Sequence, residues 1–136
     1  MTASERAQML FTARLLQAAE TIDWLSTGLT LLAAAAIVFG TPHPAAAIAS
    51  MALGLVAKVY GVRVTIDARL FRDLAEERLT LATLDAALGA MSLAPAGRAE
   101  RPVLDRCRGA RRLVAFLAAA TIAQGAALVL SALGSP

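Results

Sequence analysis

The chain has 136 residues and a formal net charge of +3, and 58% of it is hydrophobic, against about 45–50% in an ordinary soluble domain. That length fits one domain, and the apolar excess excludes an ordinary soluble one, because it lies mostly in two stretches, 24–57 and 113–136, that contain no Asp, Glu, Lys or Arg. A single cysteine, Cys107, excludes an intramolecular disulfide, and a single histidine, His43, excludes a His-based metal cluster within one chain.

Residues 4–20 (SERAQMLFTARLLQAAE) read as an amphipathic helix. Ser4 is a suitable N-cap, Glu5 complements the first turn, and Met9, Ala13, Leu16 and Ala19 recur at helical spacing. The mixed polarity of this segment, with Glu5, Glu20 and Asp23, does not read as a cleaved signal peptide. The helix is expected to run on into a first membrane span over 22–40, with Trp24 as an anchor at headgroup level. Gly40 and the sequence Thr41-Pro42-His43-Pro44 end it, since proline lacks an N–H and disfavours helix in the residue before it. His43, between two prolines, is expected to be an exposed turn residue.

A second span is expected over 44–62, with Lys58 one turn inside its far end and its stem snorkelling outward. Beyond it, 63–89 keeps a helical period while becoming charged. Leu70, Leu74, Leu81, Leu84 and Leu88 alternate at steps of four and three, Glu77 fills the gap, and the same line runs back through Asp67 and Arg63. This heptad seam predicts that the second span continues as a straight cytoplasmic helix, with Arg69–Asp73 and Arg72–Glu76 pairs on its solvated side. Residues 90–112 read as a basic cytoplasmic loop, rich in Gly and Pro up to Pro102, and 113–133 as the third span. The fold class is therefore an all-α integral membrane protein with three transmembrane helices, an N-terminal amphipathic helix and a second span extended into the cytoplasm. All 136 residues form a single membrane domain.

Ten of the 13 basic residues lie between 63 and 112, two more are Arg6 and Arg14, and neither the 41–44 turn nor the C-terminal tail carries any. The positive-inside rule puts the N-terminus and 63–112 in the cytoplasm and the C-terminus outside. The dominance of Ala and Arg, with Lys58 the only lysine, fits a GC-rich bacterial genome, which makes the bacterial inner membrane the expected location.

Several residues invite a functional reading. Arg63 and Asp67, four apart, form either a partner-facing ion pair or an ordinary interfacial one. Glu77 either fixes the register of the seam or is simply solvated. Gln124, near the middle of the third span, should face another helix, because an unpaired amide in hydrocarbon is costly. Small residues at four-residue spacing (Ala36 and Gly40; Ala46, Ser50 and Gly54; Thr121 and Gly125) permit close helix approach, a weak signal in a chain so rich in alanine. Cys107 lies among arginines but has no partner histidine, so it reads as incidental. Arg106, Arg108, Arg111 and Arg112 are expected to meet anionic headgroups. Without an aromatic platform they do not read as a nucleic-acid site.

The layout resembles that of the bacterial diacylglycerol kinase family. However, that family's Glu–x–x–Asn–Ser/Thr–x–x–Glu motif has no counterpart in YGVRVTIDARLFRDLAE, so no residue is carried over. The expected function is a non-catalytic membrane subunit or scaffold that uses no cofactor. It would assemble with itself or with a larger membrane complex through Arg63, Asp67, Leu70, Leu74, Glu77, Leu81, Leu84, Leu88 and Gln124. The second reading is a small homo-oligomeric lipid-modifying enzyme, with Asp67, Asp73, Glu76 and Glu77 as metal-binding carboxylates at headgroup level.

Overall fold

The computed structural model describes residues 3–80, 82–83, 86 and 103–133. Four long helices carry most of the described residues: α1 (Ala3–Ala18), α2 (Glu20–Phe39), α3 (Pro44–Ala75) and α4 (Val103–Ala132); residues 82, 83 and 86 are helical as well. The joint between α1 and α2 is slight. Ala19 keeps helical angles (φ −66, ψ −14), and the amides of Ile22 and Asp23 both bond back to its carbonyl. The pair therefore runs as one rod along α3, as the sequence predicts.

The turn between α2 and α3 follows from its residues. Gly40 adopts φ +84, open to glycine at no steric cost, and Pro44 opens α3 at a position where a missing N–H breaks no helical bond. The hairpin is antiparallel and centred on Pro42. Asp23 packs against Gly61, and Thr30 against Gly54, residues equally far from Pro42 along the chain. α4 returns alongside, its register on α3 fixed by Tyr60 stacked on Phe116 at 5.8 Å.

The buried residues of all three rods repeat at steps of three and four. On α1–α2 they include Met9, Thr12, Leu16, Ala19, Ser26 and Ala33; on α3, Ala47, Ser50, Gly54, Ala57, Gly61, Val64, Phe71 and Ala75; on α4, Cys107, Ala110, Leu117, Thr121, Gln124 and Ser131. That 3.5-residue period is the signature of knobs-into-holes packing. Met9, Ala13, Leu16 and Ala19, picked out by helical spacing, are all buried.

Three helical stretches, Ala3–Phe39, Pro44–Ala75 and Leu104–Ala132, are long and apolar enough to cross a membrane. α3, with 32 residues, spans about 48 Å, well beyond the roughly 30 Å of a hydrocarbon core. One end of the bundle therefore extends past any apolar layer that its middle occupies.

Two sequence expectations are corrected here. The helix expected over 63–89 ends at Ala75. The amide of Glu76 bonds to the Arg72 carbonyl, and Glu77 takes φ +58, the left-handed conformation that closes a helix. The chain then starts again at Thr80, whose hydroxyl and amide exchange hydrogen bonds with those of Thr83. The second correction concerns 103–112, expected as loop: these residues form the first turns of α4. Cys107 and Ala110 extend the α4 heptad outward, and Asp105 complements the helix N-terminus.

Candidate functional site

Gln124 is fully buried, and its amide ties α4 to α2. Nε2 donates to the Ser26 carbonyl at 3.0 Å and to Thr30 Oγ1 at 2.8 Å, and Oε1 accepts from Ser26 Oγ at 2.7 Å. From α3, Ser50 Oγ donates to the Gln124 carbonyl at 3.0 Å. All three rods thus meet in one polar layer with no amide hydrogen left unmatched. The layer closes because α3 offers Gly54 there: a Cβ at this position would lie 2.7 Å from Gln124 Nε2 and would also strike Thr30 Oγ1. Of the small-residue positions, Ser50, Gly54 and Thr121 are buried, whereas Gly40 is exposed in the turn.

About one turn along, Lys58 of α3 reaches Asp23 and Thr27 of α2, with Nζ 2.8 Å from Asp23 Oδ2 and 2.7 Å from Thr27 Oγ1. The Lys58 stem, expected to snorkel to the interface, ends on a carboxylate and a hydroxyl of the neighbouring helix, and its side chain stays 44% exposed. The other carboxylate oxygen, Asp23 Oδ1, is buried with no hydrogen-bond partner and lies against Gly61, where a side chain would collide with it. The sequence alone does not join the pair, because Lys58 is read there against the membrane interface and Asp23 only as part of the mixed polarity of the N-terminal segment. The signal was available, since a tight hairpin centred on Pro42 brings Asp23 to the level of Gly61, one turn from Lys58.

At the far end of α3 the structure separates the members of the leucine seam. Leu74 is buried, and Leu70 packs against the same cluster, which includes Met9, Ala13 and Leu16 of α1. Arg63 is exposed and Asp67 half-buried, and no ion pair joins them. The buried stripe is the line Gly61, Val64, Phe71, Ala75, one residue on from the predicted seam. Leu74 belongs to both because it flanks that stripe. Glu77 is exposed and pairs with Arg6 of α1. Leu81, Leu84 and Leu88 lie outside the described residues. The two expected pairs on the solvated side are absent among the described residues: Arg72 donates instead to Gln17 Oε1 at 2.6 Å, and Glu76 pairs with Arg78 at 2.7 Å.

Between the α1–α2 joint and α3 run two adjoining crevices of ≈ 200 Å³ each. One is lined by Leu16, Gln17, Glu20, Thr65, Ala68, Arg69 and Arg72, the other by Asp23, Val62, Thr65, Ile66 and Arg69. Arg69 belongs to both because side chains on a helix lean toward its N-terminus, which lays the Arg69 stem over the preceding turn. Neither crevice was legible in the sequence.

The basic residues of α4 face outward. Arg108, Arg111 and Arg112 are exposed and Arg106 is half-buried, with Arg108 3.3 Å from Asp105. The Tyr60–Phe116 register puts Arg111 and Arg112 near the level of Arg63. Cys107 turns inward and is buried, which agrees with an incidental packing role. Asp67, Asp73, Glu76 and Glu77 do not converge. Among the described residues no group of three His, Cys, Asp or Glu could hold a metal ion. No protein-family model matches the chain, and no curated protein or solved structure matches it either.

Proposed function

We propose that this chain is a non-catalytic, multi-pass subunit of a bacterial inner membrane, which assembles with itself or with a larger membrane complex through the end of the bundle that projects into the cytoplasm. The observation that carries the reading is the inverted polarity of the bundle. Leu31, Leu32, Val38, Ile48, Leu55, Val59, Ile122 and Leu130 are all more than half exposed, while Ser26, Ser50 and Gln124 are sealed inside. Water would drive the opposite arrangement, whereas a bilayer favours this one. The arginine distribution supports a cytoplasmic N-terminus and 63–112 segment and an external C-terminus.

Assembly through the projecting end draws support from its surface. Phe11 of α1 is 70% exposed and Leu104 of α4 53%, at a level where neighbouring side chains are charged. Leu74 is covered by α1 of its own chain, so the contact surface is better assigned to the outer faces of α1 and α4. The lipid-modifying alternative has no observation in its favour, because its carboxylates are dispersed. The experiment is the native mass of the tagged chain extracted in mild detergent. The expected result is a complex larger than one 14.1 kDa chain that Phe11→Ser reduces. A parent protein that runs as a single chain, with nothing bound to it, contradicts the proposal.

A further inference from the structure

We infer that the crevice shared by Glu20 and Arg69 is a binding site for the headgroup of an aminophospholipid, with phosphate on Arg69 and ammonium on Glu20. The inference rests on the membrane reading above.

Arg69 and Glu20 line the same crevice. Both are exposed, and among the described residues neither forms an ion pair or hydrogen bond. Of the other charged groups lining the two crevices, Asp23 pairs with Lys58 through Oδ2 while its Oδ1 is buried, and Arg72 donates to the neutral Gln17. An unpaired cation and an unpaired anion facing one space, with the second cation of Arg72 beside them, match a zwitterion whose phosphate and ammonium groups stand two carbons apart. A phosphoethanolamine group presents that pattern, and its ammonium retains N–H donors for a carboxylate, which a choline lacks.

The surface leading away from the crevice fits the rest of such a lipid. On α3, Ile66, Val62, Val59 and Leu55 recur at steps of four and three on one outward face, all between 53% and 70% exposed. The stripe begins in the adjoining crevice, which Arg69 also lines, at Ile66 and Val62, and runs towards the middle of the bundle. An acyl chain lying on it would leave its glycerol and phosphate beside Arg69. Charge complementarity and the apolar stripe thus assign one occupant, a lipid with its headgroup at the inner interface.

Native mass spectrometry of the full chain in mild detergent, supplemented in turn with phosphatidylethanolamine and phosphatidylglycerol, tests the assignment. The parent should retain phosphatidylethanolamine in preference. Arg69→Gln should weaken retention of both lipids about tenfold, through loss of the charge-assisted phosphate contact. Glu20→Gln should weaken phosphatidylethanolamine alone and abolish the preference. Free phosphoethanolamine at the same concentration should displace nothing, because it lacks the acyl chain. Both variants change exposed side chains, and equal helicity by circular dichroism verifies their fold. Retention of both lipids unchanged in both variants, or displacement by free phosphoethanolamine, overturns the site. Failure of the membrane reading looks different: the parent would then remain in solution without detergent and would not associate with vesicles of either lipid.

Discussion

Gly54 and Gln124 form one fitted contact across two helices, the glycine vacating the space through which the glutamine amide reaches α2. A Cβ at Gly54 would come within 2.7 Å of Gln124 Nε2. Gly54→Ala should therefore push α3 from the other two rods and cost about 1–3 kcal/mol, as overpacking commonly does. Gly109→Ala, in open space on α4, should gain about 0.5–1 kcal/mol from helix propensity. Thermal unfolding in detergent, followed by circular dichroism, measures both. A Gly54→Ala protein as stable as its parent would mean that the polar layer is loose.

Gln124→Leu removes three amide hydrogen bonds but keeps the volume. Ser26 and Thr30 are left to bond only within their own helix, as Thr30 already does to the Ser26 carbonyl. The expected loss is about 0.5–2 kcal/mol, read by the same unfolding assay. A more stable variant would show that the layer serves specificity at the expense of stability.

The Asp23–Lys58 pair makes a different prediction. Lys58→Met leaves Asp23 with no partner at either oxygen, and should cost about 1–2 kcal/mol. That is less than a fully buried pair, because the side chains remain 24% and 44% exposed. Asp23→Asn on top of Lys58→Met should recover most of the loss. A double variant no better than Lys58→Met would show that the two side chains are not coupled.

Leu74→Asp should destabilise the single chain, because it sets a carboxylate in the core formed with α1. The expected cost exceeds about 3 kcal/mol. Arg72→Ala, which loses one exposed hydrogen bond to Gln17, should change stability by under about 0.5 kcal/mol. Urea unfolding of detergent-solubilised protein separates the two. Equal effects would place Leu74 outside the core.

The helical layout was legible because hydropathy, Pro44 and Gly40 are local signals. The buried face of α1 was legible for the same reason, since Met9, Ala13, Leu16 and Ala19 need only a helical period. The rotation of α3 was not. Its leucines mark one line and Gly61, Val64, Phe71 and Ala75 another. Packing chose the second, because the small residues from Ala47 to Gly61 had already fixed which face meets the other rods. The end of α3 at Ala75 was hidden because Glu77 is not a glycine, yet it takes the left-handed conformation. The partners of Gln124 and Lys58, and the crevice at Arg69, depend on the register between helices, which no single segment encodes.

The assembly surface and the lipid crevice both depend on α2, α3 and α4 crossing a bilayer with the projecting end inside. Single cysteines at His43 and at Phe11, in a Cys107→Ala background, can be challenged with a membrane-impermeant maleimide in sealed spheroplasts. Both positions are exposed in the structure. The account predicts that position 43 is labelled in intact spheroplasts and position 11 only after lysis. Labelling of position 11 in intact spheroplasts, or protection of position 43 until lysis, would contradict it.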